Sequence, residues 1–451
     1  MIELDSRRAR RELCEAFRKR RTEGNEVDTK IEKKERAVLV GLSADSMEPE
    51  ERSTEVTMDE LRALLETAGG EAVAWSLQNR DTPDPGSFIG SGKALEIKEL
   101  IAVNDCDMAV FDNELSPSQM RVLTETLGVK VLDRSGLILD IFAGRAQTRE
   151  GRLQVELAQY QYLLPRLTGM WTHLVRQTAS GGKSPIGTRG PGETQLETDR
   201  RHIRRKIQKL QEELDDVRRV RATQRRRRQK SEMPTVALVG YTNAGKSTLL
   251  NALTGAGIQT GDRLFDTLDT TTRRLTLDET LEVLLSDTVG FIRKLPTQLV
   301  AAFKATLEEL SYADVILHVI DVSNPDWQEQ ARITDSLIRE LGVESTPRLE
   351  VYNKCDRCDS LSIPRREGAV SISAATGEGL DELRKQLYAL LTKGEKAVTF
   401  LLPYSKGGEL DTLHNTCRVL DTDYTEDGIR VKVVCTPEVY GRLREYAVSD
   451  E

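Results

Sequence analysis

Thr235-Val236-Ala237-Leu238-Val239-Gly240-Tyr241-Thr242-Asn243-Ala244-Gly245-Lys246-Ser247-Thr248-Leu249-Leu250 reads as strand, loop and helix in that order. Val236 to Val239 is a short β-branched, apolar run, as a buried strand requires. Gly240 and Gly245 enclose four residues, Lys246-Ser247 follow, and Thr248 to Leu253 can continue as an apolar helix. Glycines let the backbone curl until its N–H groups face one point, and the helix turns its positive end to the same point. Such a point attracts an anion. A lysine at 246 reaches terminal phosphates, and a hydroxyl at 247 suits Mg²⁺. Gly240, Tyr241, Thr242, Asn243, Ala244, Gly245, Lys246, Ser247 and Thr248 are therefore expected around a phosphate chain. A glycine loop alone is weak evidence; between a strand and a helix it predicts an α/β domain with a mostly parallel sheet.

Three further motifs follow in order. Leu264 to Arg273 is a threonine-rich loop, able to offer a hydroxyl to Mg²⁺ only while a γ-phosphate is present. Phe265, Asp266, Thr267, Leu268 and Asp269 are expected beside the nucleotide, and more than one threonine could reach the metal. A strand at Leu281 to Leu285 runs into Asp287-Thr288-Val289-Gly290. Asp287 would steady Mg²⁺ from behind its direct ligands, and the Gly290 N–H would bind the γ-phosphate. A strand at Leu349 to Tyr352 delivers Asn353-Lys354-Cys355-Asp356. An Asp there accepts from guanine N1–H and the 2-amino group, donors that adenine lacks. Sites built on such bonds discriminate by about 10⁴ or more. Ser373, Ala374 and Ala375 would close over the base. Four short motifs at this spacing predict GTP or GDP with Mg²⁺, and hydrolysis by in-line attack of water on the γ-phosphate. Lys246, Thr267 and Gly290 would carry the catalysis. Where a water-aligning glutamine often follows this motif, the chain has Phe291, so slow turnover and stimulation by a partner are expected. Asn243 either caps its loop or, as resemblance to GTPases that lack this glutamine implies, holds K⁺, which could supply the charge of a missing arginine.

The chain has 451 residues, enough for two to four domains. At 38% hydrophobic and 31% charged residues, with no apolar run of spanning length, it is expected to be soluble, cytoplasmic and monomeric, without a membrane span. The six cysteines are scattered, which suits a reducing compartment, and Cys355-x-x-Cys358 lacks a second close pair for zinc.

Outward from the glycine loop, five segments are expected. Residues 1–35 form a charged extension, helical and frayed, with no apolar signal core. Residues 36–150 alternate strands (Ala37 to Leu42, Ala72 to Leu77, Met108 to Phe111, Val129 to Leu132) with helices, predicting a parallel α/β sheet. Asp112 to Ser116 falls at a strand's carboxyl end, where such sheets bind ligands. Gly90-Ser91-Gly92-Lys93 could touch phosphate, and a purely structural or docking role competes with that reading. Residues 151–232 predict an antiparallel helical hairpin, with Leu153, Leu157, Tyr160, Leu164 and Leu167 on one helix and Leu196, Ile203, Ile207, Leu210, Leu214 and Val217 on the other. The loop Thr168 to Thr194 is glycine-rich and carries Lys183, Arg189 and Gly190. The second helix ends in Arg225, Arg226, Arg227 and Arg228, a solvated face or a nucleic-acid contact. Residues 233–394 form the nucleotide domain, and 395–451 a small α+β domain with no catalytic constellation.

Phe88-Ile89-Gly90-Ser91-Gly92-Lys93, Val131-Leu132-Asp133-Arg134 and Gly187-Thr188-Arg189-Gly190-Pro191-Gly192-Glu193-Thr194-Gln195-Leu196-Glu197, taken with the nucleotide motifs, resemble HflX proteins from about Arg36 onward. The resemblance implies a ribosome-associated GTPase that binds the large ribosomal subunit and its rRNA and splits stalled or idle ribosomes. It also raises ATP as a ligand of the N-terminal domain. Similarity to Obg-type relatives favours Thr267 as the switch threonine, with Thr272 the alternative. The competing reading is a GTP-regulated scaffold acting on a protein partner.

Overall fold

A computed structural model describes residues 34–178, 191–229, 233–255, 257, 261, 264–265, 267–268, 271–278, 281–296, 308–359, 363–364, 366, 368–392, 396–435 and 437–448, with backbone alone at 168–178, 191–196, 221–229, 308–309, 396, 415–416 and 437–438. The expected N-terminal extension lies outside these residues.

The first sheet holds β1 (Arg36–Ala44), β2 (Glu71–Arg80), β3 (Met108–Phe111) and β4 (Lys130–Asp133) in the order β2-β1-β3-β4, all parallel. Its helices are α1 (Glu55–Thr67), α2 (Ser91–Asn104), α3 (Pro117–Leu127) and α4 (Arg134–Arg145). Val38, Val40 and Leu42 pack on one side of β1 and Ala37 and Leu39 on the other, which is why this strand is apolar at nearly every position. Reciprocal caps start α1 (Thr54 with Thr57) and α3 (Ser116 with Gln119). Helix α4 is an addition to the expected elements. Asp133 caps it by accepting from the Gly136 N–H at 2.8 Å, and Leu137, Ile138, Ile141 and Phe142 bury its apolar face.

Helices α5 (Arg149–Thr178) and α6 (Pro191–Gln229) form the hairpin. Leu153 and Leu157 meet Leu210 and Leu214, flanked by Tyr160, Ile207 and Val217. Ion pairs Lys206–Glu156 (2.8 Å) and Arg149–Glu213 (3.8 Å) run in opposite senses along the helices, so the pairing is antiparallel. The expected loop at Thr168 to Thr194 is too long. Helix α5 continues to Thr178, and α6 begins at Pro191, whose fixed φ suits a first helical position. The connection between the helices, with Lys183, Arg189 and Gly190, lies outside the described residues.

The second sheet holds β5 (Thr235–Gly240), β6 (Thr271–Asp278), β7 (Leu281–Asp287), β8 (Val315–Asp321), β9 (Arg348–Asn353) and β10 (Ala369–Ser371), ordered β10-β9-β8-β5-β7-β6. Only β6 runs antiparallel to its neighbour. Helices α7 (Lys246–Thr254), α8 (Trp327–Glu340) and α9 (Leu380–Leu391) cover it. Strand β6 absorbs the end of the expected threonine loop, because Thr271 and Thr272 are β-branched and pair with Asp287 and Ser286.

The third sheet holds β11 (Lys396–Leu402), β12 (Arg418–Thr425), β13 (Gly428–Cys435) and β14 (Ala447–Val448), antiparallel in the order β12-β13-β11-β14, with α10 (Gly407–Thr416) and α11 (Pro437–Leu443). Its core is Phe400, Leu402, Leu413, Val431 and Val433. No helix among the described residues is long and apolar enough to cross a membrane.

One apolar cluster joins the first and second sheets. Leu137, Ile138 and Phe142 of α4 share it with Tyr241, Phe265, Leu268, Val289 and Ile292. The Phe142 and Phe265 rings meet edge to face at 4.7 Å.

Candidate active site

Strand β5 ends at Gly240, where a Cβ would lie 2.2 Å from the Val319 carbonyl oxygen. At Gly245 φ is +92°, and a Cβ would lie 2.3 Å from the Asn353 amide nitrogen. Only glycine fits either place. Helix α7 starts directly at Lys246 and aims its N-terminal end into the loop. Lys246 is buried, with Nζ donating to the carbonyls of Gly240 (3.0 Å) and Tyr241 (2.9 Å). Burial lowers its pKa to about 8, opposed by the nearby Asp287 carboxylate.

Three oxygens converge at the helix start. Ser247 Oγ lies 2.7 Å from Asp287 Oδ2 and 2.6 Å from Thr267 Oγ1. Burial pushes the Asp287 carboxyl above its ordinary value in spite of Lys246, and Asp287 Oδ1 makes no hydrogen bond among the described residues. A hard dication takes oxygen ligands and would favour the carboxylate, so this donor set fits Mg²⁺. Thr272 does not reach it. It stands on β6 with its hydroxyl 3.3 Å from Ser286 Oγ.

Thr288 donates to the Leu238 carbonyl at 2.6 Å, anchoring the Asp287–Gly290 segment under β5. A Cβ on Gly290 would lie 2.9 Å from Thr242 Cα and 3.0 Å from Lys246 Nζ. The Thr242 N–H donates to the Phe291 carbonyl at 2.7 Å, and Phe291 N–H to the Gly240 carbonyl at 3.2 Å. The Phe291 ring turns into the core with Val239 and Ile316, so it neither contacts nor aligns anything in the cleft. Thr242, Asn243, Gly245, Lys246, Ser247, Thr248, Phe265, Thr267 and Gly290 line a cavity of about 50 Å³. Ala244 is buried beneath it.

Asn353 ties this loop to the base-side loop. Its amide nitrogen donates to the Ala244 carbonyl at 2.8 Å, and its oxygen accepts from Ala374 N–H at 3.0 Å. Lys354 pairs with Asp321 at 2.8 Å. Cys355 donates its thiol to the Tyr352 carbonyl at 3.3 Å. Asp356 is exposed in the short turn Cys355–Arg357, Ser373 is buried, and Ala375 stands exposed beside it. Among the described residues no cluster of His, Cys, Asp and Glu could hold a metal.

Several expected nucleotide contacts face elsewhere. Leu268 and Val289 are buried against α4, and Phe265 is shared between the cleft and Phe142, because the first sheet covers this side. The Tyr241 side chain leaves the cleft, donating its hydroxyl to Glu60 and accepting from Arg293 N–H at 2.8 Å. Asp266 and Asp269 lie outside the described residues. The loop Asp112 to Ser116 is not open for a ligand at its first residue: Asp112 accepts from Arg134 (2.8 Å), Ser53 (2.7 Å), Thr57 (2.8 Å) and Lys294 (2.5 Å). Glu60 and Lys294 were not singled out from the sequence, since each is one more charge in a chain rich in them, and Arg134 stood there only as part of the Val131-Leu132-Asp133-Arg134 stretch, with no partner assigned. Left-handed backbone at the non-glycine residues Asn243, Phe265, Lys294 and Lys354 gathers in the loops around the cleft.

A β-strand, phosphate loop and helix with hydroxyls and a carboxylate at the helix start, and a guanine-type motif at the end of β9, define a P-loop GTPase. Family models agree along the chain: one described as GTP-binding GTPase N-terminal matches residues 55–143, one as GTP-binding GTPase Middle Region matches 145–228, and one as 50S ribosome-binding GTPase matches 235–354. The GTPase HflX of Caldanaerobacter subterraneus subsp. tengcongensis is 47% identical over 416 residues, covering 92% of this chain and 94% of that protein. The GTPase HflX of Lacrimispora saccharolytica is 46% identical, covering 92% and 96%. Among solved structures, a GTP-binding protein from Sulfolobus solfataricus in complex with GDP is 25% identical over 80% of this chain and 99% of that one, with a TM-score of 0.42. The chain belongs to the HflX family of GTPases, and it binds and hydrolyses GTP.

Proposed function

We propose that this GTPase is a cytoplasmic, monomeric factor that binds the large ribosomal subunit through rRNA and splits stalled or idle ribosomes. The observation that carries the reading is the hairpin. Helix α6 runs 39 residues against the 30 of α5, a stiff rod for presenting its tip to a narrow cavity. Between Arg201 and Lys230 lie thirteen Lys and Arg residues against four acidic ones, on a chain of net charge −8. Lys183, Arg189, Gly190 and Arg225 to Arg228 are assigned to rRNA, where arginine binds phosphate in a bidentate fork and glycine admits close approach. The description of the matching nucleotide-domain model, a 50S ribosome-binding GTPase, points the same way.

In the nucleotide site Ser247 and Thr267 would ligate Mg²⁺, with Asp287 behind them, and the dication would neutralise charge on the transferred phosphoryl group. Lys246 and the Gly290 N–H contact the γ-phosphate, and Asp356 with Ser373, Ala374 and Ala375 holds guanine. Phe291 leaves the attacking water without an aligning side chain, so turnover waits on a partner. Asn243 is the position for K⁺.

The test is co-sedimentation with large ribosomal subunits at saturating GTP. With about six phosphates neutralised, affinity should fall by roughly 10³ between 50 and 200 mM salt. Deleting 182–192 should spare basal hydrolysis and abolish splitting. Splitting at the normal rate by that deletion, or binding without a salt slope, leaves the hairpin a mere brace; nuclease-insensitive binding favours a protein partner.

A further inference from the structure

A buried chain of charges links the N-terminal domain to both phosphate-facing loops. Lys294 is 5% exposed and reaches Asp112, itself fully buried. Asp112 pairs with Arg134 (2% exposed), Arg134 with Glu60, and Glu60 accepts from the Tyr241 hydroxyl. Tyr241 in turn accepts from Arg293 N–H, next to Lys294. The chain closes into a ring: it leaves the phosphate loop at Tyr241, crosses the N-terminal domain, and returns four residues beyond Gly290.

The place where Lys294 enters has a topological meaning. The order in which the chain lays down the parallel strands of the first sheet reverses between β1 and β3, and Asp112 follows β3 while Ser53 and Thr57 follow β1. Doubly wound sheets take ligands in this crevice at the carboxyl ends of their strands. Here an ammonium group of the nucleotide domain fills it, within 3.4 Å of Ser53 Oγ as well. Lys294 holds φ at +51° to do so, a conformation a non-glycine residue keeps only when its surroundings require it. Alternating buried charges are poor net stabilisers, because desolvation cancels most of their attraction, but removing one partner leaves another charge buried and uncompensated.

We propose that Lys294 and Tyr241 are positioning residues for GTP hydrolysis, held by the Glu60–Arg134–Asp112 chain so that the phosphate loop and the Gly290 segment keep one spacing, the one that accepts a γ-phosphate. The N-terminal domain thereby helps the site distinguish GTP from GDP. The inference rests on the assignment of Gly290 to the γ-phosphate. GDP does not engage Gly290, so loosening this ring should affect GTP and leave GDP alone.

The experiment measures GTP and GDP dissociation constants and single-turnover hydrolysis on the full chain. Lys294→Met keeps the stem and removes the charge. It should leave GDP affinity within about twofold while lowering the GTP-over-GDP preference and the hydrolysis rate by about tenfold, inside the usual range for coupled sites. Lys294→Arg, which keeps the charge, should restore most of both. Tyr241→Phe removes one oxygen from the other end of the ring and should act in the same direction; it decides the matter if Lys294→Met does not fold. Equal weakening of GTP and GDP, or an unchanged preference and rate in both variants, overturns the proposal. Gly290→Ala separates the two failures. If it too leaves the preference unchanged, the Gly290 assignment is wrong; if it alone collapses the preference, only the positioning role is.

Discussion

Asn353→Ala should destabilise the chain even when no nucleotide is bound. Both partners of the Asn353 amide are backbone groups, the Ala244 carbonyl at 2.8 Å and the Ala374 N–H at 3.0 Å, and all three residues are buried. Truncation orphans one buried acceptor and one buried donor, at about 1–3 kcal/mol each. Some water will enter the space left, so a loss of about 3 kcal/mol is expected. Guanidinium unfolding of the nucleotide-free chain reads this directly. Trp327 reports on the region, since its ring meets Tyr352 at 5.9 Å, one residue before Asn353. The comparison belongs in a background with Trp75 and Trp171 changed to Phe. With a slope of about 4 kcal/mol per molar, the midpoint should fall by roughly 0.7 M. An unchanged midpoint together with lost GTP affinity would refute the clamp and make Asn353 a direct ligand of the nucleotide.

Asp356→Asn should move preference from GTP towards XTP, whose 2-position is an acceptor that suits a donor amide; unchanged competition by XTP would remove Asp356 as the reader of the base. The Lys246 ammonium titrates at about 8 in the free chain. Bound phosphates hold the proton on, so binding above pH 8 requires proton uptake, and GTP affinity should be flat below pH 8 and fall by up to about tenfold per unit above it. A flat profile to pH 9.5 contradicts this. Burial lowers His318 from 6.5 to about 3, so between these values the unfolded chain binds the proton and the folded chain does not. Stability should therefore drop as pH falls from 6.5 towards 3, and His318→Gln should flatten that drop in denaturant midpoints at pH 7 and 4.5. With large ribosomal subunits present, GTP turnover should be faster in K⁺ than in Na⁺; equal rates leave Asn243 a loop cap.

What the sequence determined by itself is local. Gly240 and Gly245 are required where a Cβ would strike backbone or Asn353, and that need shows in residue type and spacing alone. The apolar periods of β1, β5 and β8, the Ser116 and Thr54 caps, and the heptad seam of Leu153, Leu157, Leu210 and Leu214 are likewise written in runs of a few residues. Helix α4 was the exception, and its signal was present in the Asp133 cap and in the apolar residues Leu137, Ile138, Leu139, Ile141 and Phe142, with Asp140 left on the exposed face. Residue chemistry alone did not separate Thr267 from Thr272: only the resemblance favoured Thr267, and the fold adds the physical difference, since β6 carries Thr272 away while Thr267 meets Ser247. The same holds for Tyr241, whose backbone lines the phosphate loop while its hydroxyl leaves for Glu60, 181 residues earlier, and for Lys294 and Asp112, 182 residues apart. A charged residue in a charged sequence predicts a solvated surface. Only the packing of one domain on another strips the water from Lys294, Asp112 and Arg134, and it is desolvation that turns such ordinary charges into obligatory partners.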